Sequence, residues 1–173
     1  LQDIEESIYT TERKMKMTKI AEAFQNKKAF IGFLTAGDPS LECTEEFIIK
    51  MDEAGAALIE IGIPFSDPIA EGPVIQSANI RALSNLNGCT TDQVFEMVEL
   101  VRKKGIVPLV FHTYLYLVIK YGKDRYFRRC ASAVNSGIIV PDMPLEEKGE
   151  KADIAAKHGV DVISLIAPTS KER

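Results

Sequence analysis

The stretch ALIEIGIPFSDPIAEGP, residues 57–73, joins an aliphatic strand to an acidic, proline-rich loop. Its first seven residues are apolar except for Glu60, and a nearly continuous apolar strand is typical of a parallel sheet that is buried on both faces. Because alternate residues of a strand face opposite sides, Ile59, Ile61 and Ile63 share one face, which suits packing against helices. Glu60 lies on the other face. The sequence therefore predicts a carboxylate that points away from the helices that cover the sheet.

The same unit, a strand followed by a helix, recurs along the chain. Apolar runs predict strands at 29–34, 57–63, 107–113, 137–141 and 160–166. Amphipathic periodicity predicts helices at 18–28, 44–55, 91–105, 123–134 and 145–159, and Pro73 leads a further helix. This alternation indicates an α/β fold in which helices cover a parallel sheet.

Two architectures fit the alternation: a doubly wound open sheet and a (β/α)8 barrel. A complete barrel takes about 250 residues and eight strands, whereas this chain has 173 residues. We therefore predict a (β/α)8 TIM barrel truncated to about five βα units. Residues 17–173 are assigned to the partial barrel and residues 1–16 to a charged N-terminal extension. Thr169 or Ser170 is expected to cap a further helix.

The composition argues against several classes of function. A formal net charge of −4 disfavours a basic face that binds nucleic acid, and no apolar run reaches the roughly 20 residues that span a membrane. The N-terminus lacks the apolar core of a signal peptide. The three cysteines, Cys43, Cys89 and Cys130, match neither a metal-binding spacing nor a disulfide framework. These features favour a cytoplasmic protein with reduced thiols and no bound metal.

A buried carboxylate at Glu60 has two interpretations. Catalytic residues of barrels lie at the C-terminal ends of strands, where a carboxylate can trade a proton with a substrate. Alternatively, Glu60 pairs with an arginine or a lysine and serves only to fix the packing. Strand pattern alone leaves both interpretations open.

The loop after this strand, residues 64–73, offers a second carboxylate. Its prolines stiffen the backbone, and Asp67 and Glu71 are the candidates. Asp67 precedes Pro68 and has a competing interpretation as a turn residue. Glu71 precedes Gly72 and a helix, where an acid also complements the helix dipole. Two carboxylates in unlike environments can form an acid/base pair.

Four separated motifs resemble the tryptophan synthase alpha subunit family: FIGFLTAGDPS, IEIGIPFSDPIAEGPVIQSANIRAL, GIIVPDMPLEE and LIAPTSKER. They occur in the family's order. The resemblance implies a barrel lyase of tryptophan biosynthesis that cleaves indole-3-glycerol phosphate to indole and glyceraldehyde 3-phosphate. It implies no cofactor on this chain. It also implies a tryptophan synthase beta subunit as partner, in an αββα complex, and the pyridoxal phosphate would belong to that subunit.

The resemblance assigns roles to individual residues. Glu60 falls on the family's proton-shuttling glutamate. Glu71 falls on the loop acid that accepts a hydrogen bond from the indole N–H. Phe33 and Tyr114 match residues that line the indole pocket. The loop that faces the beta subunit is matched by Pro64, Asp67 and Pro68.

Three departures from the family pattern accompany these matches. The loop acid is usually aspartate where this chain has Glu71, a methionine-like residue is usual where His112 stands, and asparagine-proline is usual at Tyr116 and Leu117. A lone histidine on a strand is interpreted as a satisfied interior residue, with catalysis as the alternative. Tyr116 is expected to fill space that a smaller polar side chain occupies in the family.

Three functions remain open from the sequence. The first is a lyase of the tryptophan synthase alpha type. The second is a non-catalytic partial barrel that only binds a partner chain, either a beta subunit or a complementing C-terminal fragment. The third is a different barrel enzyme that acts on a phosphosugar. An open five-stranded arc would also have two unpaired edges, which invite pairing with another chain.

Overall fold

The computed structural model describes residues 19–25, 28–86, 88–104, 107–133, 136–166 and 168. The strands are β1 (Ile31–Thr35), β2 (Leu58–Gly62), β3 (Leu109–His112), β4 (Gly137–Ile139) and β5 (Asp161–Ile163). The helices are α1 (Lys19–Ala23), α2 (Leu41–Glu53), α3 (Pro73–Leu83), α4 (Thr91–Arg102), α5 (Leu115–Tyr121), α6 (Lys123–Ala133) and α7 (Leu145–Lys157). The expected extension at 1–16 and the expected helix cap at Thr169 or Ser170 lie outside the described residues.

The five strands form one parallel sheet in the order β1-β2-β3-β4-β5. In a doubly wound sheet the strand order reverses at a switch point, whereas here each strand pairs with the next one along the chain. Consecutive parallel pairing is the arrangement of a (β/α)8 barrel. The sheet order therefore favours the barrel over the doubly wound alternative.

The two faces of the sheet carry separate apolar clusters, as the alternation along β2 predicted. Ile59, Ile61 and Ile63 belong to the large cluster that includes helix residues such as Val94 and Val98 of α4. The opposite face, here called the inner face, carries a smaller cluster formed by Leu58, Val110 and Ile139. Glu60 has the strand parity of Leu58 and so belongs to the inner face.

Helix α1 packs against the inner face. Its Ile20 contacts the Leu58, Val110 and Ile139 cluster. A Cβ atom at Gly137 would lie 2.7 Å from Cδ1 of Ile20 and 3.0 Å from the backbone oxygen of Asp161. A glycine at this position therefore allows the close approach of both α1 and β5 to β4.

The observed boundaries differ from the predicted ones at several places. Helix α2 begins at Leu41 because Ser40 caps it, and the Ser40 side chain accepts a hydrogen bond from the Cys43 amide. Helix α1 ends at Ala23 rather than at residue 28. Helix α5, Leu115–Tyr121, was not predicted. It is short, apolar and without a side-chain cap, so the sequence carries no start signal for it.

Cys43, Cys89 and Cys130 are all free in the structure. Burial raises the pKa of Cys89 to about 11 and raises that of Cys130 further above its usual value. Both buried thiols therefore stay protonated and unreactive at neutral pH. Within the described ranges, no helix has the length and apolar character that crossing a membrane requires.

The absent side chain at Gly62 makes room for Phe33 of the neighbouring strand. A Cβ atom at Gly62 would lie 2.8 Å from Cζ of Phe33. We expect Gly62→Ala to lower the free energy of unfolding by about 1–3 kcal/mol, because the added methyl overpacks the inner face. Urea unfolding measures this loss. In the Phe33→Leu background the same substitution should cost less, and an equal cost in both backgrounds would contradict the contact.

Candidate active site

Glu60 and His112 meet on the inner face at the C-terminal halves of β2 and β3. The two strands pair with Glu60 beside Val110 and Gly62 beside His112. Because His112 lies two residues after Val110, its side chain points to the same face as Glu60. Nδ1 of His112 lies 2.5 Å from Oε1 of Glu60, and the two side chains are only 15% and 19% exposed.

The loop after β2 brings Glu71 to the same place. Its side chain is 8% exposed, and its Oε1 lies 3.9 Å from Nε2 of His112. The second oxygen, Oε2, accepts a hydrogen bond of 3.0 Å from Nδ2 of Asn79, a buried residue of α3. Helix α3 starts directly after Glu71, with Gly72 as N-cap and Pro73 in its first turn. Glu71 therefore lies just before α3, and its partner Asn79 lies within that helix.

His112 is therefore flanked by two carboxylates. Its Nδ1 bonds to Glu60, whereas its Nε2 is buried and has no hydrogen-bond partner among the described residues. The ring of Phe33 meets the imidazole edge-on, with 5.8 Å between the ring centroids. The expectation of a fully satisfied interior histidine is thus wrong for one of the two ring nitrogens.

Tyr114 contacts the loop that follows β2 and supports it. It is 2% exposed, and its hydroxyl accepts a hydrogen bond of 3.4 Å from the backbone N–H of Ala70. Its ring lies 5.2 Å from that of Phe65, which belongs to the same loop. Burial raises the pKa of Tyr114 to about 12, and the nearby Glu71 adds to the increase. Tyr114 therefore stays neutral and holds the loop that carries Glu71.

The structure brings together four of the residues that the sequence singled out: Glu60, Glu71, Phe33 and Tyr114. In the part of the chain that the structure describes, the partner of Glu60 is a histidine, and no arginine or lysine there forms the ion pair of the alternative interpretation. The catalytic and substrate-binding roles of these residues remain predictions.

The residues predicted to face a partner lie along the outer part of the loop. Asp67 is exposed and accepts a 2.5 Å hydrogen bond from the hydroxyl of Ser66, so it does not join the carboxylates. Pro68 is half-buried and Pro64 is buried. The interface role of all three remains a prediction, and Pro64 could act there only by shaping the loop.

Sequence reasoning missed Asn79. Asn79 follows Glu71 by eight residues, and no pattern in the sequence marks an amide that reaches back to a loop acid. Tyr116 is 55% exposed and stacks on Phe65 at 5.8 Å, with Nζ of Lys120 5.8 Å from the centre of its ring. It therefore packs against the loop, and the expectation that it fills the space of a smaller side chain stays a prediction.

A cleft of about 830 Å³ borders the same loop on its other side. It is lined by loop residues such as Pro64 and Asp67, and by side chains of α4 to α6 such as Asp92, Tyr121 and Arg125. Neither Glu60, Glu71 nor His112 lines it. The candidate site is placed on the inner face because Glu60, Glu71 and His112 converge there. In the part of the chain that the structure describes, no cluster of three or more histidine, cysteine or acidic side chains has metal-binding geometry.

A parallel β/α arc with an acid/base group on its inner face, near the C-terminal ends of its strands, is the architecture of a barrel enzyme. The family model described as the tryptophan synthase alpha chain matches residues 20–173. The chain belongs to this family.

Individual relatives agree with this assignment. The tryptophan synthase alpha chain of Lacticaseibacillus casei is 46% identical over 159 residues, which cover 92% of this chain and 59% of the relative. The crystal structure of the alpha subunit from Legionella pneumophila superposes with a TM-score of 0.85 at 36% identity, covering 90% of this chain and 61% of that one. A tryptophan synthase complex from Pyrococcus furiosus gives a TM-score of 0.75 at 38% identity, covering 81% and 57%. The chain thus spans about three-fifths of the length of these relatives, and the predicted partial TIM barrel is confirmed.

We expect Tyr114→Phe to destabilise the protein at pH 8 by about 1 kcal/mol, because the Ala70 amide loses its acceptor. A tyrosine with a raised pKa contributes stability below its ordinary pKa of about 10, and this contribution is lost as the pH approaches 12. The stability difference between the two proteins should therefore narrow by about 1 kcal/mol at pH 11. Urea unfolding at both pH values measures it, and a difference that does not change with pH would contradict the burial of this hydroxyl.

Proposed function

We propose that this chain carries the acid/base centre of a lyase of the tryptophan synthase alpha type. The reaction is the retro-aldol cleavage of indole-3-glycerol phosphate to indole and glyceraldehyde 3-phosphate. One observation carries the proposal: Glu60 and Glu71 both reach the inner face within contact distance of one imidazole. A relative 46% identical and named a tryptophan synthase alpha chain supports the choice of reaction.

The cleavage requires two proton movements at one bond. Protonation of indole C3 gives a ring whose nitrogen carries positive charge. Loss of the proton from the adjacent side-chain hydroxyl then breaks the carbon–carbon bond, and its electron pair returns to the indole ring. Glu60 is the group proposed to move these protons, because it is the carboxylate that β2 itself projects into the inner face.

Glu71 is proposed to stabilise the charged intermediate. Its Oε2 is engaged by Asn79, so that its Oε1 remains available to a ligand N–H. A carboxylate that is 8% exposed interacts strongly with a developing positive charge, because little water screens it. Phe33 and Tyr114 would provide the apolar walls for the indole ring.

The partner and the compartment follow from the same proposal. Relatives of known structure include the a2b2 complex of Pyrococcus furiosus, and we infer that this chain assembles with a beta subunit through the loop that carries Asp67 and Pro68. The chemistry described above needs proton transfer only, so we infer no cofactor on this chain. Pyridoxal phosphate would belong to the beta subunit. The three free cysteines support a cytoplasmic location.

Indole release from indole-3-glycerol phosphate, with and without a tryptophan synthase beta subunit, tests the proposal. We expect Glu60→Gln to lower the rate by at least about 10²-fold, because an amide cannot take up and return a proton. Glu96→Gln is the matched control, since it makes the same change on an exposed helix position.

The outcomes separate the lyase from the non-catalytic partial barrel. Release that survives Glu60→Gln would contradict the assignment of the proton shuttle. A folded chain that binds the beta subunit and releases no indole would instead be a non-catalytic partial barrel.

The length of the loop acid matters for the same reaction. We expect Glu71→Asp to slow indole release by about 10²-fold, because a carboxylate withdrawn by one methylene cannot keep its Asn79 contact and its place beside His112 together. Asn79→Ala is the companion variant and should lower the rate less, since it leaves the carboxylate on a side chain of the original length. Full activity in Glu71→Asp would show that the position of this carboxylate is not critical.

A further inference from the structure

Nε2 of His112 is buried and has no hydrogen-bond partner among the residues that the structure describes, which suggests a role that neither carboxylate provides. We propose that His112 is a third member of the site, with a different task for each ring nitrogen. Its Nδ1–H positions Glu60, and its Nε2 forms, together with Oε1 of Glu71, a pair of acceptors for a single N–H donor of the ligand. The identity of that donor as an indole N–H rests on the proposed function.

The contact with Glu60 fixes the proton on the ring. In the ionised form that takes up the hydroxyl proton, the Glu60 carboxylate offers only acceptors, so in that form the nitrogen that faces it carries the hydrogen. Nδ1 lies 2.5 Å from Oε1 of Glu60, and in a neutral imidazole the other nitrogen is then an acceptor. His112 thereby restrains the orientation of the Glu60 carboxylate and presents a lone pair at Nε2.

The second acceptor is held in place independently. Asn79 binds Oε2 of Glu71, which leaves Oε1 facing Nε2 of His112 at 3.9 Å. Two acceptors at this separation cannot bond to each other. A single N–H group placed between them can lie about 2.9–3.0 Å from both, which is an ordinary hydrogen-bond length. The buried, unpartnered state of Nε2 agrees with a site that a ligand donor completes.

The aromatic side chains around His112 suit a ligand whose N–H donor belongs to an aromatic ring. Phe33 meets the imidazole edge-on at 5.8 Å, and the Tyr114 ring lies 6.4 Å from it. The apolar surfaces of these two rings beside the imidazole favour a flat heteroaromatic ligand over a hydrated one. A heteroaromatic N–H is therefore the class of group that this acceptor pair selects.

The tautomer of His112 can be measured without any ligand. The chain has two histidines, and the other one, His158, contacts Oδ1 of Asp124 through Nε2 at 2.9 Å. Long-range ¹H–¹⁵N spectra at about pH 8 should therefore show a neutral ring protonated at Nδ1 for His112, and the opposite tautomer for His158. A His158→Gln variant assigns the signals. Protonation of His112 at Nε2, alone or in addition to Nδ1, would overturn the acceptor pair.

Indole and 1-methylindole serve as probes of the acceptor pair. We expect indole to shift the Nε2 resonance of His112, and 1-methylindole to leave it unchanged because it has no N–H. Ring signals of Phe33 and Tyr114 report whether a probe binds beside His112. Occupancy without an effect at Nε2 would overturn this inference and leave the proposed function intact. If indole perturbs none of these signals, both the ligand assignment and the proposed function fail.

Two substitutions separate the tasks of the two nitrogens. His112→Asn keeps an N–H donor at the place of Nδ1 and loses Nε2, whereas His112→Met loses both groups. Both variants should bind indole about 3- to 10-fold more weakly. In the indole-release assay, the asparagine variant should retain a kcat closer to that of the parent protein, because Glu60 keeps its hydrogen bond. Equal kcat values for both variants would overturn the positioning role, and unchanged indole affinity in both would overturn the binding role.

Discussion

The site depends on the strict alternation of side chains along β2. Ile59, Ile61 and Ile63 must face the helices, because they belong to the main apolar core. That requirement leaves Glu60 on the inner face, where the backbone offers it no alternative direction. A one-residue shift in the pairing of this strand would bury the carboxylate in the core and expose the isoleucines. The hydrophobic pattern that stabilises the sheet thus also directs the Glu60 side chain to the inner face.

Contacts around the second carboxylate, Glu71, hold it in place beside the inner face. Glu71 lies on a loop, and loops position functional groups less accurately than strands do. Here two contacts fix the C-terminal end of the loop: Asn79 of α3 binds the Glu71 carboxylate, and the Tyr114 hydroxyl accepts a hydrogen bond from the Ala70 amide. Contact between the Phe65 and Tyr114 rings adds a third restraint. The acid consequently occupies a defined place although its own backbone is irregular.

The sequence predicted those parts of the molecule that repeat a periodic pattern. All five strands, the parallel arrangement and the inward direction of Glu60 follow from alternation and from the order of elements. It could not predict α5, which lacks a cap, or Asn79, whose contact joins residues eight positions apart across a helix start. His112 was visible as a departure, but its importance depends on strand register, which pairs it with Gly62 and not with a bulky side chain.

The two departures at the site are best understood together. The family that this chain resembles usually has the shorter aspartate at the position of Glu71. It usually has a methionine-like residue at the position of His112. Here Glu71 is longer by one methylene, and it lies close to His112 while Asn79 holds its other oxygen. An imidazole beside two carboxylates supplies a donor to Glu60, whereas a methionine side chain would supply none. The imidazole at this position therefore gives Glu60 a hydrogen-bond partner, whereas Glu71 has its own partner in Asn79.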